Sequence, residues 1–136
     1  MITYVDSSVL LRVVLGEPDP LAEWDSLEPA SSELIRVESL RVIERYRLMS
    51  AIDDEIVVER REAILAHLEG FRLVELSRAV LDRAAEPLPI YVATLDAIHV
   101  ATALELRFEY EQLAFATHDV KLAAAARSLA FPVIGV

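Results

Sequence analysis

The chain has 136 residues, the length of one ordinary domain with room for a hydrophobic core. Hydrophobic residues make up 54% of the chain, but no apolar run approaches the roughly 18 to 20 residues that cross a bilayer. The first residues also lack the pattern of a signal peptide. We therefore expect a cytoplasmic protein without membrane segments. The net charge of −10 argues against nucleic-acid binding through a broad basic surface but does not exclude a nucleic-acid enzyme. The absence of cysteine excludes disulfides and thiolate metal sites.

The first predicted element is a short buried strand over residues 2–5, and it ends at an acidic residue, Asp6. Two small hydroxyl residues follow, and either Ser7 or Ser8 is placed to cap the helix predicted over residues 9–15. Because α/β folds bind their ligands at the carboxyl ends of their strands, Asp6 is the first candidate functional residue.

The remaining predicted elements alternate between strands and helices. Strands are predicted over residues 30–34, 71–76, 112–117 and 132–136. Helices are predicted over residues 21–27, from 35 onward, and over 56–68, 78–85, 95–106 and 120–129, with Ser77 and Thr94 as caps of the fourth and fifth of these. In the helix from residue 35, an apolar stripe is formed by Leu40, Val42, Ile43, Tyr46 and Met49. This alternation predicts one α/β domain over residues 1–136, with a mainly parallel sheet covered on both faces.

Four acidic residues lie at strand ends or helix starts: Asp6, Glu38, Asp96 and Asp119. Asp6 and Asp119 both follow predicted strands, and parallel strands end at one shared edge of the sheet, so we expect these two side chains to meet. Carboxylates that gather raise one another's pKa, a penalty that divalent cations remove. A carboxylate cluster without cysteine suits Mg²⁺ or Mn²⁺ better than Zn²⁺, and it can bind a phosphodiester and activate water. With 23 acidic residues in the chain, however, spacing alone leaves other sets open.

Four segments of the chain carry a family resemblance: YVDSS, LIRVES, LDAIHVATA and FATHDVKLAAAA. In this order they resemble the four acidic motifs of the PIN domain, most closely those of the VapC-like ribonuclease toxins of bacterial toxin–antitoxin pairs. The resemblance places the metal-site acids of the family on Asp6, Glu38, Asp96 and Asp119. It also places small polar positions beside the site on Ser8 and Thr117. The second motif is recognised mostly by position, so Glu33 and Glu44 are alternatives to Glu38.

What the resemblance implies is an α/β/α sandwich that acts as an Mg²⁺-dependent or Mn²⁺-dependent endoribonuclease, forms homodimers and is inhibited by a VapB-like antitoxin. We expect Asp6, Asp96 and Asp119 to coordinate the principal cation. Glu38 would bind a second ion or orient the attacking water. The water would attack the phosphorus in line while the cation offsets the charge on the departing 3′ oxygen.

Other residues near these motifs keep two interpretations. Arg41 and Arg45 lie three and seven residues beyond Glu38 on one helical face, where they contact RNA phosphates or an acidic antitoxin segment, or form a solvated face paired with Glu44. We expect His99, one turn beyond the third acid, to be a packed or hydrogen-bonded helix histidine rather than a ligand. The aromatic residues are too scattered to predict a platform for base stacking.

Two other classes of function remain open. One is a non-catalytic PIN-like module that binds RNA or protein without turnover. The other is a receiver-like phosphotransfer domain, which also gathers acids at a sheet edge and uses a lysine. Lys121 is available for that chemistry, but it lies two residues beyond Asp119 in a helical turn rather than at a strand end, which disfavours this class.

Overall fold

Five short strands form one sheet at the centre of the computed structural model, which describes residues 1–136. The strands are β1 (Ile2–Val5), β2 (Glu28–Ser32), β3 (Arg72–Val74), β4 (Ala114–Ala116) and β5 (Val133–Ile134). They lie in the order β3-β2-β1-β4-β5, and all neighbouring pairs are parallel. The predicted parallel sheet is therefore confirmed, and β1 lies in its middle.

Six α-helices cover the two faces of this sheet. They are α1 (Ser7–Val14), α2 (Leu34–Leu48), α3 (Asp54–Glu69), α4 (Arg78–Ala84), α5 (Thr94–Arg107) and α6 (Val120–Ser128). One core cluster joins Tyr4 and Phe115 of the sheet to buried residues of α5 and α6, and a second joins α1, α2 and α3 through residues such as Leu10 and Ile43. This arrangement confirms the α/β/α sandwich. None of the helices combines the length and apolarity needed to cross a bilayer.

Some local predictions were wrong. Residues 21–27 do not form an α-helix, because only a single 3-10 turn is present, at Trp24–Ser26. The buried row of α2 is Ile35, Ser39 and Ile43, whereas Met49, at the end of the predicted stripe, is 68% exposed. The stripe was right at Leu40 and Ile43, which pack in the core with α1 and α3, and it missed Ser39, a small buried residue that an apolar count does not recognise.

Helix starts were predicted with mixed success. Ser77 caps α4 as predicted, since its Oγ accepts a hydrogen bond of 3.2 Å from the Val80 N–H. Thr94 is not a cap but the first residue of α5, and the capping position is occupied by Ala93 without a side-chain bond. The first turn of α5 therefore begins without a side-chain acceptor from its cap.

One glycine beyond β5 fits closely against the end of β4. Gly135 has a φ of +101°, and a Cβ at this position would lie 2.5 Å from the backbone oxygen of Thr117. Gly16, after α1, also has a positive φ, +65°, but no atom lies within 4 Å of its Cβ position. A residue with a Cβ would strain the backbone at either position, but only at Gly135 would it also clash with a neighbouring atom.

Gly16→Ala should lower the free energy of unfolding by about 1 to 2 kcal/mol, the penalty for a left-handed backbone. We predict that Gly135→Ala lowers it by at least about 1 kcal/mol more, because the added Cβ also clashes with Thr117. Urea unfolding followed by circular dichroism measures both. Equal losses in the two variants would contradict the close packing of Gly135 on Thr117.

Candidate active site

The pairing of β1 with β4 places the first predicted acid beside a threonine. Val5 is in register with Ala116, and the Asp6 N–H extends the ladder by donating to the Ala116 oxygen at 3.2 Å. The next residue of the β4 chain, Thr117, therefore lies next to Asp6. Both side chains are buried, and that of Asp6 is only 5% exposed.

Two hydroxyl groups hold the Asp6 carboxylate. Ser8 Oγ donates to Asp6 Oδ1 at 2.6 Å, and Thr117 Oγ1 donates to Asp6 Oδ2 at 2.9 Å. Each hydroxyl oxygen in turn accepts a backbone N–H from the turn before α6, that of His118 for Ser8 and that of Asp119 for Thr117, both at 3.0 Å. Neither hydroxyl is therefore a simple helix cap. The expectation that Ser7 or Ser8 caps α1 was wrong, because Asp6 itself occupies that position and Ser8 is bonded to it.

Asp119 and Lys121 flank the first residue of α6. Asp119 is the N-cap, and its Oδ1 accepts the backbone N–H of Lys121 at 2.8 Å and that of Leu122 at 3.1 Å. These bonds satisfy two of the free donors of the helix and leave the second carboxylate oxygen, Oδ2, without a protein donor.

Glu38 belongs to a buried hydrogen-bond chain that reaches into the sheet. Its Oε1 lies 2.5 Å from His99 Nε2, and His99 Nδ1 lies 2.6 Å from Tyr4 Oη. Tyr4 Oη also accepts the Ser32 N–H at 3.2 Å. Burial raises the pKa of Tyr4 and keeps its hydroxyl protonated. His99 thus lies between that hydroxyl and the Glu38 carboxylate, with one hydrogen bond at each ring nitrogen.

The prediction of a packed, hydrogen-bonded His99 is confirmed, because the ring is 1% exposed and bonded at both nitrogens. Tyr4, in contrast, was missed as a residue that supports the site. Its signal in the sequence was weak: a polar-tipped aromatic residue in a buried strand, two positions before Asp6. Residues two apart in a strand share a face, so this position was the available indication.

Asp96 is coupled electrostatically to the other three predicted acids. It lies in the first turn of α5 and accepts no hydrogen bond from a protein side chain. Burial raises its pKa, and the negative charges of the other three acids, Asp119, Asp6 and Glu38, raise it further, while His99 opposes the shift. Burial likewise raises the pKa of Asp6, against the effect of its hydroxyl donors.

These carboxylates do not form a finished set of metal ligands, because no three Asp, Glu or His side chains are arranged to hold one ion. The carboxylates of Asp6, Glu38 and Asp119 each form a hydrogen bond with another residue of the protein, whereas that of Asp96 forms none. The oxygens left without a protein hydrogen-bond donor are Asp119 Oδ2, Glu38 Oε2 and both of Asp96. A donor set of carboxylate oxygens without sulfur fits Mg²⁺ or a similar hard cation in its chemistry.

Arg41 and Arg45 are exposed on α2. Glu44 pairs with Arg47 at 2.7 Å rather than with either of them. The guanidinium of Arg45 instead lies 5.7 Å from the ring centre of Tyr46. The predicted pairing with Glu44 is therefore not observed, and contact with RNA or an antitoxin stays a prediction for these two arginines.

Comparison with known proteins identifies the family. The model of the PIN domain matches residues 3–128, so the chain belongs to the PIN-domain family. Ribonuclease VapC46 of Mycobacterium tuberculosis is 34% identical, and the alignment covers 96% of this chain and 95% of the relative.

Solved structures share the fold at lower identity. A crystal structure of FitAcB from Neisseria gonorrhoeae has a TM-score of 0.70 and 20% identity, covering 98% of this chain and 96% of that one. A toxin–antitoxin complex from Klebsiella pneumoniae has a TM-score of 0.61 and 18% identity, covering 97% and 95%. The likeness in fold extends over nearly the whole chain.

The raised pKa of Asp96 predicts how stability depends on pH. Because the folded protein binds this proton more tightly than the unfolded chain does, stability falls as pH rises from the ordinary carboxyl range through the raised pKa. In EDTA, Asp96→Asn should therefore melt at a higher temperature than the parent at pH 7. The difference should shrink as the pH falls below that raised pKa.

Asp54→Asn is the matched control, since Asp54 is an exposed acid in the first turn of α3. The Asp54→Asn variant loses a similar interaction with a helix dipole but relieves no repulsion among the four acids. Its melting temperature should therefore equal that of the parent or lie slightly below it. A thermal melting series that finds Asp96→Asn less stable than the parent at pH 7 would contradict the crowding of the four carboxylates.

Proposed function

We propose that this protein is a divalent-metal-dependent endoribonuclease and the toxin of a toxin–antitoxin pair. The observation that carries the proposal is a set of contacts that joins the segments of the four acids. Thr117 bonds to the Asp6 carboxylate and to the backbone N–H of Asp119, and Glu38 bonds to His99, one turn beyond Asp96 on α5. A relative that is 34% identical over nearly the whole chain and is named a ribonuclease supports RNA as the substrate.

The four acids have different parts in this proposal. Asp6, Asp96 and Asp119 would hold the principal cation, Mg²⁺ or Mn²⁺, and Glu38 would hold a second ion or orient the water that attacks the phosphorus. A bound divalent cation supplies Lewis-acid chemistry, which activates water and offsets charge on the departing oxygen. The hydroxyls of Ser8 and Thr117 fix the Asp6 carboxylate in orientation, so little reorganisation is needed when RNA binds.

His99 serves in this proposal as a positioning residue for Glu38. The bond from Nε2 fixes Oε1 and leaves Oε2 directed to ligand or water, and the Tyr4 hydroxyl fixes the ring from its other side. Partners of this kind, which orient a ligand without touching the ion, contribute about 10-fold to 100-fold to metal affinity or activity in metalloproteins.

The proposed partners follow from the related complexes. A structural neighbour is a toxin–antitoxin complex, which supports a VapB-like antitoxin as the inhibitor of this protein. The exposed Arg41 and Arg45 provide positive charge on α2 for an acidic antitoxin segment or for RNA. A homodimer and a cytoplasmic location stay predictions.

Cleavage of purified total tRNA and rRNA tests this function. The parent protein should cut RNA at discrete positions with Mg²⁺ or Mn²⁺ and should stop cutting in EDTA. Asp96→Asn should lower the cleavage rate by about 100-fold or more, because metal stabilisation of the transition state amounts to several kcal/mol. Asp54→Asn should cleave like the parent, because Asp54 is an exposed acid in the first turn of α3, a helix that carries none of the four motifs.

Cleavage that survives EDTA, or an Asp96→Asn protein as active as the parent, would contradict the metal mechanism. RNA binding by the folded parent without turnover in any divalent metal would instead support the non-catalytic module. Mapping the cut ends at nucleotide resolution identifies the substrate in the same experiment.

A further inference from the structure

The single lysine of the chain lies beside the proposed site. In a protein with a net charge of −10, Lys121 is the only lysine, and its backbone N–H donates to Asp119 Oδ1 at 2.8 Å. The residue is exposed, and its ammonium group forms no ion pair with a carboxylate. Arg47, Arg72 and Arg83, in contrast, are paired with glutamates. Lys121 therefore presents positive charge to solvent at the start of α6.

An exposed aromatic ring accompanies this lysine. Tyr91 is 79% exposed, and its ring centre lies 5.3 Å from Lys121 Nζ. The ring comes three residues before α5, whose first turn carries Asp96. Tyr91 also lines a mostly apolar groove of about 580 Å³ together with Leu88 and Ala97. An apolar surface thus lies beside the ring, while most of the ring faces water.

On the basis of the proposed function, we infer that Tyr91 and Lys121 form an RNA-binding element in which the ring stacks on a base and the ammonium contacts a neighbouring phosphate. The two residues come from the segments that carry Asp96 and Asp119, so a strand bound to them lies against the carboxylates. Base–aromatic stacking tolerates any base and contributes substantially to the binding of single strands.

The charge of the site favours such an element. Four carboxylates repel a phosphodiester, and the acidic chain offers no broad basic surface to offset that repulsion. A cation fixed next to the carboxylates, rather than a distant one, lowers the cost of bringing the backbone to them. The contact with Tyr91 restrains the flexible lysine stem in this position.

The chain supplies matched controls at the far ends of the same two helices. Phe108, the residue that caps the C-terminus of α5, is 89% exposed. Arg127 is exposed in the last turn of α6. Phe108 therefore serves as a control for an exposed ring, and Arg127 as a control for an exposed cation. Both lie at the ends of their helices opposite the carboxylates.

Fluorescence anisotropy with labelled oligoadenylate, and with an abasic strand of equal length, tests the ring. All proteins carry Asp96→Asn to prevent cleavage. Tyr91→Leu should weaken oligoadenylate binding by about 10-fold, while Tyr91→Phe, which keeps the ring, and Phe108→Leu should bind like the parent. On the abasic strand, Tyr91→Leu should bind like the parent, because no base is present to stack.

A salt titration of the same binding tests the lysine. Lys121→Gln should reduce the slope of log affinity against log salt by about 0.7 on both strands, the value for one phosphate contact of a single strand. Lys121→Arg should keep the parent slope, and so should Arg127→Gln, which removes a positive charge without approaching the site.

The outcomes separate the two proposals. If the parent binds oligoadenylate but Tyr91→Leu binds equally well, or loses affinity equally on the abasic strand, the ring does not stack on a base and the inference is wrong. An unchanged salt slope in Lys121→Gln overturns the phosphate contact. Protein without the Asp96→Asn change that neither binds nor cleaves RNA in Mg²⁺ or Mn²⁺ overturns the proposed function, and this inference with it.

Discussion

The pair of hydroxyl bonds to the buried Asp6 carboxylate is the interaction on which the rest of the site depends. A carboxylate with so little access to water is costly unless donors replace the lost hydration. Ser8 and Thr117 provide two such donors, and the backbone of the turn before α6 orients both of them. The same turn presents Asp119, so the bonds that make Asp6 tolerable also place the second acid of the site.

A second network starts from the same strand. Tyr4 lies in β1, two residues before Asp6, and its hydroxyl bonds to His99 of α5. Tyr4 reaches Glu38 through His99, and His99 lies one turn beyond Asp96 on α5. Each acid except Asp96 is thus held by the protein. The four carboxylates are close enough to affect one another's protonation. Three of them have separate hydrogen-bond partners, which offset part of the cost of bringing like charges together.

The sequence predicted the part of this account that follows from local pattern. Alternating apolar runs and helix starts indicated the sandwich, and the shared edge of parallel strands explained why residues as distant in the chain as Asp6 and Asp119 belong together. Contacts between side chains of distant segments carry no such periodic signal. The bond between Glu38 and His99, the role of the Ser8 hydroxyl and the contact of Lys121 with Tyr91 therefore became visible only in three dimensions.

The central claim is that these acids form a cation site, and calorimetric titration with Mn²⁺ tests it most directly. Because the pKa values of Asp6 and Asp96 are raised, bound Mn²⁺ should displace protons at mildly acidic pH. Titration in two buffers of different ionisation enthalpy measures that release. We expect binding with proton release by the parent and by Asp54→Asn, and none by Asp96→Asn. Folded parent protein that binds no Mn²⁺, or Asp96→Asn that binds it equally well, would contradict the account.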